Sequence, residues 1–151
     1  MIRRTSVVWR RPLVAVALAA TAVSCAHTGG AGGTAEPEPS LSGTTWRFYD
    51  MGQDTLADPS KTELRIDPDG KVSGSTGCNR FTGTATMVGT SLSFSPFATT
   101  RMLCDPGLMR QESLILTALQ SVKSFALVES DRLNLLDATG QPLLRLVRAK
   151  T

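Results

Sequence analysis

From Leu41 onward the chain runs in short stretches of period-two alternation, each ended by turn-forming residues, and this rhythm restricts the fold more than any other feature. A strand points successive side chains to opposite faces, so such a run buries one side only. Residues 45–49 (TWRFY) set Trp46 and Phe48 on one face and Arg47 and Tyr49 on the other. Residues 62–67 bring Leu64 and Ile66 to one side, and Asp67-Pro68-Asp69-Gly70 then turns the chain. Proline presets φ at the first corner of such a turn and glycine accepts the left-handed corner. Residues 71–75 return as the hairpin partner, and a second hairpin joins residues 81–88 to 91–97 through Gly89-Thr90. Three more strands close the chain, at 125–129, 132–137 and 143–148, joined by Ser130-Asp131 and by Ala138-Thr139-Gly140-Gln141.

One segment departs from this rhythm. Over residues 108–122, Leu108, Ile115, Leu119 and Val122 recur on one helical stripe, with Leu116 and Ala118 beside it. Ser113, Thr117, Gln120 and Ser121 lie opposite; Pro106-Gly107 reads as the preceding loop and Asp105 as a cap. Strands separated by tight turns must pair antiparallel, and a lone helix can cover one opening or face of a curled sheet. The expected fold is mainly β (α+β by count), a curled antiparallel sheet or partly open barrel with one packed α-helix. A two-layer α+β sandwich is the competing architecture.

The first forty residues are of another kind. Arg3, Arg4, Arg10 and Arg11 precede an apolar run from Pro12 to Val23, too short for the roughly 20 residues of a membrane-spanning helix. Ala22-Val23-Ser24-Cys25 then resembles a bacterial lipoprotein signal, in which small residues precede a cysteine that is acylated and becomes the N-terminus. Ala22 stands where such signals usually have Leu; cleavage after Ala26 at an ordinary secretory site is the rival reading. Residues 26–40 (AHTGGAGGTAEPEPS) hold no large apolar side chain and read as a disordered tether whose ends would lie roughly 20 Å apart. The organisation expected is thus a signal peptide at 1–24, an acylated Cys25 with its tether at 25–40, and one small domain at 41–151.

Charge must be counted after that division. The chain has 16 Lys+Arg and 13 Asp+Glu; removing the four signal arginines leaves 12 against 13, a net of −1. The high isoelectric point therefore belongs to the signal, and nothing basic remains to suggest a nucleic-acid partner. Cys78 and Cys104 remain once Cys25 is acylated. In an oxidising compartment an even remainder in a small exported domain favours a disulfide, here closing a loop worth roughly 3 to 3.5 kcal/mol. Two free thiols that never meet, or a redox-active pair, are the alternatives, although no Cys-x-x-Cys motif is present.

The inventory for catalysis is thin. The single histidine, His27, lies in the tether, which removes Ser-His, Cys-His and His-metal sites from the domain. Asp67 and Asp69 are explained by their turn. Asp50, Asp54 and Asp58 could gather on one loop, but they lack the glycine and glutamate of a calcium loop and read as solvated charges. Glu112 shares the stripe of Leu108, Ile115 and Leu119, so it needs partners, and Asn79 or Arg101 could reach it. Asn79, Arg101 and Glu112 are therefore the candidate binding or structural polar cluster. Gly74 and Gly77 read as bulge or bend positions. No metal ligand set, cofactor fingerprint or phosphate loop is recognised.

Several motifs, taken together, resemble the META domain family, the HslJ-like domains of bacterial envelope lipoproteins. They are residues 41–46 (LSGTTW), 72–79 (VSGSTGCN) and 99–104 (TTRMLC), then Glu112, Ala118-Leu119, Leu133-Asn134-Leu135 and the Gly140 turn. The resemblance spans nearly all of the domain and implies a mainly β fold with one helix. It also implies an envelope role linked to stress responses, with no catalytic mechanism or ligand common to the family. The function expected is a membrane-tethered, non-enzymatic interaction domain with an unknown protein or small-molecule partner. A small-ligand carrier in the periplasm is the alternative. Ala26 after the acylated cysteine lacks the Asp that retains enteric lipoproteins at the inner membrane, so the resemblance points to a periplasm-facing outer-membrane anchor.

Overall fold

The expected alternation is realised strand by strand. In the computed structural model residues 40–52 and 54–150 are described; the expected signal peptide, Cys25 and nearly all of the tether lie outside the described residues. The strands are β1 (Thr45–Asp50), β2 (Thr62–Ile66), β3 (Lys71–Thr76), β4 (Arg80–Val88), β5 (Ser91–Phe94) and β6 (Ala98–Thr99). After the helix α1 (Pro106–Ser121) come β7 (Ser124–Val128), β8 (Arg132–Leu136) and β9 (Pro142–Arg148). A 3-10 turn, Pro59–Lys61, precedes β2.

All pairings are antiparallel, and the hydrogen-bonded order is β3-β2-β1-β9-β8-β7-β5-β4-β6, with β3 also pairing β4. Eight strands therefore form a ring, and β6 continues the line of β5 along the same edge of β4. The seam between β5 and β7 is short, with Ser91 opposite Ser124. The curled sheet is the architecture found; the two-layer sandwich is not. The Asp67-Pro68-Asp69-Gly70 turn closes through Gly70 N–H to Asp67 O at 2.9 Å, with Gly70 at φ 83°.

Trp46, Phe48, Leu64, Ile66, Leu92, Leu133, Leu135, Leu144 and Leu146 fill the ring from its strands, and Ile115, Leu119 and Val122 enter from the helix. Arg47 and Tyr49 face outward as their alternation requires. Helix α1 packs on β9, β3 and β5, strands from different sectors of the ring, so it plugs an opening rather than covering one face. Burying each of Ile115 and Leu119 contributes roughly 1.5 to 3 kcal/mol.

Three expectations are corrected. The helix begins at Pro106, not Leu108. Proline at the first helical position has no N–H to leave unpaired, and Asp105 Oδ1 accepts the N–H groups of Gly107 (3.0 Å) and Leu108 (3.1 Å). The second strand of the later hairpin stops at Phe94 rather than Phe97, because Pro96 has no N–H to donate to a ladder; the chain resumes pairing as the unforeseen β6. Gly74 is not a bulge. It sits in regular register between Leu64 and Phe81, and a Cβ there would collide with Glu63 O and the Phe81 ring. Gly74→Ala is accordingly expected to destabilise the domain by about 2 kcal/mol, read as a lower urea midpoint at unchanged slope. An unchanged midpoint would mean that the β2–β4 layer yields freely.

Candidate functional site

At the end of the ring where Ser75 pairs with Arg80, Gly77-Cys78-Asn79 crosses from β3 to β4. Gly77 adopts φ 99°, the left-handed bend that its lack of a side chain permits. Asn79 follows with 2% of its surface exposed, and its amide is saturated. Asn79 Oδ1 accepts from Thr100 Oγ1 and from Met102 N–H, both at 2.7 Å. Asn79 Nδ2 donates to Glu112 Oε2 at 2.8 Å and to Met102 O at 3.3 Å. The side chain thus ties the 100–102 loop to the helix. Its backbone is not left-handed, so hydrogen bonding rather than conformation accounts for the asparagine.

Glu112 is half-buried, as its stripe demanded, and the partner that reaches it is Asn79, joined by Thr76, whose Oγ1 lies 3.2 Å away. Asn79 O is already served by Thr76 N–H at 2.9 Å, which leaves the Thr76 hydroxyl proton for the carboxylate. Arg101 makes no ion pair among the described residues. It does share a depression of about 290 Å³ with Thr100, Met102, Leu103, Met109 and Glu112. Of the three cluster residues, Asn79 and Glu112 are bonded and Arg101 stands beside them.

Sequence reasoning missed Gln111. Its side chain is 2% exposed; Oε1 accepts Asp58 N–H at 3.1 Å, and Nε2 donates to Thr76 O at 2.5 Å. A Cβ at position 77 would fall 2.7 Å from Gln111 Nε2, so the glycine there makes room for the glutamine. The fully buried stripe runs 111-115-119, whereas the expected one ran through Leu108 and Glu112. Four-residue spacing from Ile115 and Leu119 was the signal available.

Cys78 and Cys104 are bonded, with their Cα atoms 6.0 Å apart. The bridge clamps the 100–104 loop over the same corner that Asn79 holds from beneath. The three loop carboxylates are separately engaged: Asp50 with Arg145 at 2.7 Å, Asp54 with Arg110 at 3.3 Å and Asp58 with Lys61 at 3.2 Å. Hydrogen bonds from Ser60, then Lys61, hold the Asp58 carboxyl below the usual carboxylate range. Among the described residues no group of three His, Cys, Asp or Glu side chains could hold a metal ion.

A closed antiparallel ring plugged by one helix, with a Gly-Cys-Asn crossing stapled to the loop before that helix, defines a small stapled β domain. The META domain family model matches residues 39–150, and the chain belongs to that family. Among solved structures, an NMR structure of a protein from Burkholderia xenovorans is 24% identical at a TM-score of 0.58, covering 74% of this chain and 85% of its own. A DUF4847 family protein from Bacteroides vulgatus ATCC 8482 is 14% identical at a TM-score of 0.54, covering 74% and 96%. These two are likenesses of fold. No curated protein matches the chain.

Proposed function

We propose that this chain is an envelope lipoprotein, acylated at Cys25 and held to a membrane through its tether, whose META domain binds a partner and performs no catalysis. One observation carries this reading. The Asn79 amide and Glu112 Oε2 are spent on the domain's own loop and strands, while Met102 and Leu103 beside them stand 61% and 93% exposed. Catalysis needs an acid, base or nucleophile left free for substrate; docking needs apolar side chains held in water at a fixed place. Sixteen buried apolar residues occupy the interior, which counts against an enclosed-ligand carrier. The resemblance of residues 22–25 to a lipoprotein signal, and the family, support a periplasm-facing location at the outer membrane and a link to envelope stress.

The test is the intact mass of the protein extracted from its native membrane, with peptide mapping. The expected result is an acylated N-terminus at Cys25 that incorporates labelled palmitate, with Cys25→Ser moving the protein to the soluble fraction. More than one acyl chain gives stable attachment, so the shift should be nearly complete. An unmodified N-terminus at His27 would sink the anchored reading and make this a soluble secreted domain.

A further inference from the structure

We infer that the free edge of β6, with the apolar loop that follows it, is a docking site for an extended acidic peptide that adds as a further strand. This deepens the interaction reading above and rests on it. β6 pairs with β4 alone: it continues the line of β5, and the short β5–β7 seam at Ser91 does not reach it. Thr100 donates its N–H to Arg80 O at 3.0 Å, so antiparallel alternation turns the main-chain groups of Thr99 and Arg101 away from β4. Residues 98–101 are all exposed. Such a row of unpaired N–H and C=O groups is a template for one more strand.

The side chains beside this edge say what the strand should carry. Met102, Leu103 and Met109 project around the depression that Arg101 also lines. They are held in place: Met102 N–H is bound by Asn79, and Cys104 by Cys78. A site fixed before binding loses little conformational freedom on docking. Arg80 and Arg101 make no ion pair among the described residues, so two positive charges stand against the one carboxylate that lines the depression, Glu112, whose Oε2 is held by Asn79 and Thr76. Unpaired positive charge beside apolar side chains matches a peptide with an acidic residue and an apolar residue on one face, two positions apart.

The register also sets this edge apart from the point where the chain enters the domain. Ser40 to Gly43, where the described chain begins, meet the Ile66 end of β2 through Gly43 N–H to Ile66 O at 2.8 Å. The β6 edge lies at the other end of the strands, beside Arg80 and Thr76.

A random eight-residue peptide display library, panned against the chain from residue 25 onward carrying Cys25→Ser, tests this without acylation. Its failure is therefore separate from a failure of the anchored reading. The expected result is enrichment of proline-free sequences that pair an acidic with an apolar residue. A synthetic peptide of that sequence should slow hydrogen exchange at the Thr99 and Arg101 amides. Arg101→Glu should weaken its binding at least about tenfold, and Thr99→Pro should abolish it. Thr99 N–H points away from β4 and has no partner among the described residues, so that variant should melt as the parent does. Leu103→Ser, at a side chain with no packing role, should weaken binding as well. No enrichment, no acidic preference, binding indifferent to these variants, or binding instead to phosphatidylglycerol vesicles would each overturn the proposal.

Discussion

Replacing both Cys78 and Cys104 with serine is expected to lower the unfolding free energy by about 3 to 3.5 kcal/mol and the melting temperature by roughly 14 °C. The bridge spans a sequence separation of 26, and most of the loss arises in the unfolded chain, which regains the freedom that the closed loop denied it. A domain this small buries too little surface to absorb such a loss easily. Thermal unfolding of the parent with and without reductant, beside the double variant, decides the matter. The reduced parent and the variant should melt together, well below the oxidised parent. Melting within a degree or two of the oxidised protein would mean that Asn79 and the helix fix the corner without help from the bridge.

How much of this was legible in the sequence depends on the range of the physics involved. Strand faces were readable because alternation is local: Trp46 with Phe48 and Leu64 with Ile66 point inward as expected, and Leu133 with Leu135 obey the same rule. Turns were readable for the same reason, since Gly70, Gly89 and Gly140 all adopt the positive φ that their turns need. Ring closure was not, because the β1–β9 and β5–β7 contacts that complete it join strands far apart in the chain and are set by sheet curvature. Periodicity also has limited angular resolution. At 3.6 residues per turn, Gln111 and Glu112 are both plausible edge positions of a stripe through Ile115 and Leu119. The helix settles with Gln111 innermost, because its amide can satisfy both Asp58 N–H and Thr76 O, whereas an ionised carboxylate has no proton to give Thr76 O. Glu112 keeps to the rim, where Asn79 and Thr76 supply donors. Arg101 lines the same depression as Glu112, but of the two partners expected to reach the carboxylate only Asn79 does, joined by Thr76, so its donors are neutral.

That substitution of neutral donors for a cation makes Asn79 the costliest polar residue to lose. Asn79→Leu keeps the volume and removes every hydrogen bond of the amide, leaving Met102 N–H and the Glu112 carboxylate short of partners in a part-buried corner that the disulfide holds in place. An unsatisfied buried group costs about 1 to 3 kcal/mol, and more when charged, so a loss of roughly 3 to 4 kcal/mol is expected in urea unfolding. Glu112→Leu alone should cost less, about 1 to 2 kcal/mol, since it strands an amide hydrogen and a hydroxyl rather than a charge. The double variant is the informative one. With Glu112 gone, Asn79→Leu no longer abandons a carboxylate, and the pair should cost about 1 to 2 kcal/mol less than the sum of the single changes. Additivity within about 0.5 kcal/mol would mean that the Asn79–Glu112 bond contributes nothing beyond what water supplies. The clamp on the 100–102 loop would then rest on Met102 and Thr100 alone.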